Sequence, residues 1–201
     1  MDTGQVVVGV LVVLAAYLIG GIPWGVVIAR LTGGPDPRTI GSGRTGGANV
    51  MRALGPRLAL VSGLLDVGKG VVAVLLAIAV GGGLPLEILA ALAAIVGHSR
   101  SIWIGFAGGR GIAPAFGGLI VIAPIVALIV IPIFFGVLLI SRYSSLSALI
   151  ASLAAPIFLW SLGHAALAAL FALLTLLVFY AHRENISRLL AGTEGKIGQK
   201  A

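Results

Sequence analysis

The stretch from Thr39 to Arg52, TIGSGRTGGANVMR, gathers the residue types that bind anions. Glycines stand at Gly41, Gly43, Gly46 and Gly47, hydroxyls at Thr39, Ser42 and Thr45, and guanidinium groups at Arg44 and Arg52. Glycine admits the left-handed backbone that turns successive N–H groups toward one point, and arginine adds a planar fork matched to phosphate. No carboxylate lies within the stretch to compete for those donors. The pattern predicts a phosphate site; a flexible loop whose arginines face anionic lipid headgroups would share the same composition. A second segment, HSRSIWIGFAGGRGIAP over 98–114, again joins glycines to a basic residue in Gly108-Gly109-Arg110-Gly111.

Other chemistry is sparse. Asp66 and Lys69 stand three apart in an apolar run and share a helix face, where a buried ion pair between helices is favoured over a direct catalytic role. His98 and His182 end predicted helices, where each can cap the last carbonyls, donate to phosphate or serve as a base. The chain holds no H-E-x-x-H, no G-x-S-x-G elbow, no Walker A lysine loop and no His-x4-Asp dyad. It has no cysteine, which excludes disulfides, thiolate metal sites and thiol nucleophiles. Phosphate-binding donors without a nucleophile triad point to catalysis by positioning and electrostatic stabilisation. No metal and no cofactor are implied.

The elements that carry these residues belong in a bilayer. With 59% hydrophobic and 9% charged residues and a mean hydropathy of +1.17, the 201-residue chain lies outside the range of soluble domains. We read it as an all-α polytopic membrane protein forming a single integral membrane domain over 1–201. Met1-Asp2-Thr3 lacks the positive region of a signal peptide, so the run from Gln5 to Ala29 is expected to stay as a first helix, in which the glycines and proline of Tyr17–Gly25 either kink the helix or permit close packing. Further helices are predicted over 58–80, 86–97, 149–160 and 165–180, and the run from Gly111 to Ile140 is either one tilted span or two helices that fold back near Ala123-Pro124.

Charge decides that ambiguity. With two passes there are seven transmembrane helices, the N-terminus is outside, the C-terminus is cytoplasmic, and all thirteen basic residues lie on one side. One pass would carry Arg142 and the basic tail across the membrane, against the positive-inside rule. Seven passes open the polar stretches at one face, so a site belongs at the cytoplasmic membrane boundary, suited to a substrate with a phosphate and an apolar tail. The net charge of +7 does not indicate nucleic acid, because the arginines lie in short interhelical loops without interleaved aromatics.

An ordered set of motifs then emerges: Tyr17-Leu18-Ile19-Gly20 with Ile22-Pro23; Gly41-Ser42-Gly43 followed by Gly46, Asn49, Val50 and Arg52; and Asp66 with Lys69-Gly70. Gly97-His98, Phe106, Gly108-Gly109-Arg110-Gly111, Ser145-Leu146-Ser147, His182-Arg183-Glu184-Asn185-Ile186 and Gly192-Thr193-Glu194 continue it. Over nearly the whole chain this set resembles the PlsY family of bacterial acylphosphate-dependent glycerol-3-phosphate acyltransferases. The resemblance implies a multi-pass enzyme of the bacterial inner (plasma) membrane, monomeric, with its active site at the cytoplasmic face among membrane lipid. It would transfer a fatty acyl group from acyl phosphate to the sn-1 hydroxyl of glycerol-3-phosphate, giving lysophosphatidate and phosphate for phospholipid biosynthesis.

The resemblance also implies roles. Ser42, Arg52, Arg110, Ser145, His182 and Asn185 match catalytic positions, and Gly41, Gly43, Asn49, Gly108, Gly109 and Gly111 match substrate-binding positions. The chain carries Arg44 where the family has asparagine, Ala48 and Pro114 where it has threonine, and Arg110 where it has lysine. A relative that binds or transports a phosphorylated lipid or metabolite without turnover is the rival reading.

Overall fold

The computed structural model describes residues 2–198, and among them all regular structure is helical. The chain divides at Ala123 into two compact units.

In the first unit, α1 (Thr3–Gly21) begins at a capping box. The Asp2 carboxylate accepts from the Gln5 N–H at 2.8 Å, and the Gln5 side chain accepts from the Asp2 N–H at 3.1 Å. The expected kink is a full break: α1 stops at Gly21 and α2 (Trp24–Thr32) restarts after Ile22-Pro23. Proline lacks the N–H that would continue the ladder, and it drives Ile22 out of the helical conformation, to φ −55° and ψ 117°. The polar stretch that follows is more ordered than its composition suggests. A single 3-10 turn, Pro37–Thr39, leads into a short helix, α3 (Gly47–Leu54), whose Val50 is fully buried. Gly55, at φ 82°, and Pro56 at the first helical position separate it from α4 (Pro56–Ala79).

Next come α5 (Gly83–Ser99) and α6 (Ile112–Ile122). The core of this unit joins α1, α4 and α5 through Val12, Ala16, Ala73, Ala77, Leu86, Ala90 and Ala94. Most are alanines because helices in lipid associate by close packing, not by escape from water. At the α4–α6 crossing the approach is closer still: a Cβ on Gly70 would overlap the Pro114 carbonyl, and one on Gly117 the Val67 carbonyl.

The second unit holds α7 (Pro124–Ser141), α8 (Ser144–Ser161), α9 (Ala165–Ala181) and α10 (Arg183–Leu190). The 111–140 run is thus two helices, parted at Ala123. The polar island at Ser141–Ser147 is mostly the first turn of α8, and the tail forms α10, bent 64° from α9 at His182. The Thr175 hydroxyl donates to the Ser152 carbonyl at 2.6 Å and ties α9 to α8.

Five helices of the described residues are long and apolar enough to cross a membrane, or six if α9 and α10 count as one bent span. α6, with 11 residues, is apolar but short. The chain is an integral membrane protein.

Candidate active site

The first unit presents two loops. Upstream of the first, Asp36 caps the 3-10 turn and also takes the Arg38 guanidinium, with Nη2 at 2.6 Å. Hydrogen bonding from Arg38 holds the Asp36 carboxyl below its ordinary value, against a smaller upward push from burial. Arg38 is thereby bound to its own loop. Beyond it, Gly41 (φ 54°) and Gly43 (φ 66°) turn the chain through left-handed conformations around Ser42, which is exposed. The loop is shaped from α3 by Asn49. Its Nδ2 donates to the Pro37 carbonyl at 2.5 Å and the Arg44 carbonyl at 2.8 Å, while Oδ1 accepts from the Ser42 N–H at 3.2 Å.

Asn49 is buried, and its three bonds go to the backbone of the loop itself, so it enters the site as the brace of that loop. Arg52 follows one turn later on α3, close enough that a Cβ on Gly41 would sit 3.4 Å from its Cδ. Gly41, Ser42, Gly43, Asn49 and Arg52 are therefore one assembly.

The second loop carries Gly108, Gly109 and half-buried Arg110 into Gly111, which has φ 79° and opens α6. Its first two glycines lie on His98 at the end of α5. The Gly109 N–H donates to the His98 carbonyl at 3.1 Å, and a Cβ on Gly109 would overlap the His98 ring. His98 is buried, and its Nδ1 is 3.5 Å from Asp66 Oδ1, which also pairs with Lys69 Nζ at 2.7 Å. The expected Asp66–Lys69 pair is present, and it has a third member that position at a helix end did not reveal.

The second unit presents a cluster around Glu194. Ser145 Oγ, in the first turn of α8, donates to Glu194 Oε1 at 2.6 Å; Asn185 Nδ2 donates to the same oxygen at 2.6 Å; Arg188 Nε donates to Oε2 at 2.7 Å. Partial burial raises the Glu194 carboxyl, but the bonds from Ser145, Asn185 and Arg188 outweigh it and hold the group below its ordinary value. A carboxylate only accepts, so the Asn185 NH2 must face it, and Oδ1 is turned away. That oxygen is buried and has no hydrogen-bond partner among the described residues. His182, also buried, holds Nδ1 2.8 Å from the Val178 carbonyl. A carbonyl oxygen cannot donate, so Nδ1 carries the proton and the basic nitrogen of the neutral ring is Nε2.

The expected site residues thus fall into Gly41–Arg52 and Gly108–Gly111 in one unit and Ser145, His182 and Asn185 in the other. Glu194, which organises the latter set, is the residue the sequence did not single out as part of a site.

A family model described as glycerol-3-phosphate acyltransferase matches residues 10–192. The chain belongs to the glycerol-3-phosphate acyltransferase family. It is 48% identical to a glycerol-3-phosphate acyltransferase of Rhodopseudomonas palustris, over 93% of this chain and 94% of that protein. A glycerol-3-phosphate acyltransferase of Brucella suis is 49% identical over 92% of this chain and 90% of its own length. Among solved structures it resembles PlsY (YgiH), an integral membrane glycerol 3-phosphate acyltransferase, in its glycerol 3-phosphate form. The TM-score is 0.86 at 37% identity, over 94% of this chain and 96% of that one. The lysophosphatidic acid form of PlsY gives 0.85 at 35% identity, over 94% and 95%. The family match takes in every expected site residue from Gly41 to Asn185, and Glu194 lies just beyond it.

Proposed function

We propose that this member of the glycerol-3-phosphate acyltransferase family transfers a fatty acyl group from acyl phosphate to the sn-1 hydroxyl of glycerol-3-phosphate, forming lysophosphatidate and phosphate. The observation that carries the proposal is the likeness, across nearly the whole chain, to PlsY in both a glycerol 3-phosphate form and a lysophosphatidic acid form. Acceptor and product of one acylation are thereby represented on the same fold.

The local geometry suits that chemistry. Acyl phosphate is a mixed anhydride with a good leaving group, so the acceptor hydroxyl can attack the acyl carbon directly. A C–O ester bond forms, the bond from the acyl carbon to the bridging oxygen breaks, the electron pair leaves with phosphate, and the proton lost by the hydroxyl ends on that phosphate. Developing charge on phosphate and on the carbonyl oxygen needs fixed donors. We assign that work to Ser42, Arg52 and the backbone of Gly41 and Gly43 in the first loop, and to Arg110 with the backbone of Gly108, Gly109 and Gly111 in the second. Asn185 Oδ1 is an unspent acceptor suited to a glycerol hydroxyl, Ser145 and Glu194 hold Asn185 in place, and His182 Nε2 accepts the hydrogen bond of the attacking hydroxyl.

The enzyme works as a monomer in the bacterial inner membrane, with seven passes, the N-terminus outside and the site at the cytoplasmic face. The distribution of basic residues supports that sidedness. Turnover separates this reading from a binder or transporter. Purified protein given palmitoyl phosphate and glycerol-3-phosphate is expected to form lysophosphatidate, and palmitoyl-CoA is expected not to replace the donor. Binding of glycerol-3-phosphate without product would favour the rival.

A further inference from the structure

Three ionisable side chains are buried together in the first unit. The side chains of Lys69, Asp66 and His98 are 2%, 3% and 5% exposed. Taking charges out of water costs several kcal/mol per ion unless they are paired, so a cluster of this kind constrains everything it touches. Lys69 Nζ lies 2.7 Å from Asp66 Oδ1 and donates to the Ile22 carbonyl at 3.0 Å, an acceptor at the break between α1 and α2. Asp66 in turn lies 3.5 Å from His98 Nδ1. A carboxylate at one ring nitrogen sets the rotation of an imidazole and the nitrogen that carries its proton.

The far side of the same histidine meets the glycine-rich loop. A Cβ on Gly109 would overlap His98 Nε2, and one on Gly108 would overlap the His98 carbonyl, which already accepts from the Gly109 N–H at 3.1 Å. Ring and main chain of His98 therefore contact two successive glycines beside Arg110. Any rotation of the ring would push directly on backbone, since no side chain lies between them to absorb it.

We propose that Asp66, anchored by Lys69, is a positioning residue: it sets the His98 ring, and His98 fixes the backbone from Gly108 to Arg110 in the shape that grips a phosphorylated substrate. The inference rests on the reading of Gly108–Gly111 as substrate-binding. The ligand chemistry is a phosphate group, supplied by the acceptor as a monoester or by the donor as an acyl phosphate, and separate titrations of the two substrates tell these sources apart.

Two variants test it. The double substitution Asp66→Asn/Lys69→Gln removes both charges together and leaves no unpaired buried ion. His98→Phe keeps a ring against the glycines but removes both nitrogens. In each, KM for at least one phosphorylated substrate is expected to rise at least about tenfold, with the substrate affected naming the phosphate held. Amide hydrogen exchange is expected to speed up by about tenfold at Gly108–Gly111 and to stay at the wild-type rate in the middle of α4. Wild-type KM values for both substrates, with kcat alone reduced, would mark the cluster as helix packing only and overturn the proposal. So would unchanged exchange at the loop. If wild-type protein made no lysophosphatidate, the acyltransferase reading would fall, and the exchange comparison would still decide whether the cluster positions the loop.

Discussion

Arg52 and His182 are assigned to the reacting groups. Arg52→Ala and His182→Ala should each lower kcat by about 100-fold or more, in protein that inserts and elutes as wild type. Steady-state rates on purified protein check this, and normal rates in both variants would dismiss the assignment. Glu194 makes a different prediction, because its work is to hold Ser145, Asn185 and Arg188. Its carboxyl lies below the ordinary 4.5 in the folded protein, so its contacts contribute fully above about pH 4.5 and are lost as pH falls through that lower folded value. Thermal denaturation of the wild type should show this loss on acidification, and Glu194→Gln should be less stable at neutral pH by about 1–3 kcal/mol and lack that component. The first loop is legible in the sequence because its donors are contiguous. The role of Glu194 is not: the residue is legible as part of the Gly192-Thr193-Glu194 motif, but its partners on α8 and α10 come together only through folding.

At the scale of elements, α4 and α6 cross where Gly70 meets Pro114 and Gly117 meets Val67. Gly117→Val should force these helices apart and destabilise the protein by about 1–3 kcal/mol, which unfolding in detergent would measure; an unchanged midpoint would show that the crossing tolerates bulk. Asn49→Ala removes three bonds from the first loop while α3 remains helical. Faster amide exchange at Gly41–Thr45, with little change in α4, is the expected result. Long apolar runs made α4, α5, α8 and α9 readable, and Pro23 marked the break after α1. Hidden elements were α3 and α10, each eight residues long, whose mixed composition resembles loop and whose helicity depends on packing of Val50 and Asn185. His98 was legible as a helix end, but its contact with Asp66 joins two helices and leaves no trace in local spacing.

For the molecule as a whole, sidedness is the claim taken from charge alone. The chain has no cysteine, so single cysteines can be introduced in place of Ser42, Gly82 and Thr193 without background. An impermeant maleimide applied from outside should label position 82 and spare the other two; labelling at 42 or 193 would refute seven passes with the N-terminus outside. The most direct measurement is product stoichiometry. Protein purified in detergent, supplied only with palmitoyl phosphate and glycerol-3-phosphate, should release one phosphate for each lysophosphatidate formed, and neither product without the acceptor. Phosphate release that is independent of glycerol-3-phosphate, or lysophosphatidate formed only when another acyl donor is added, would contradict the account.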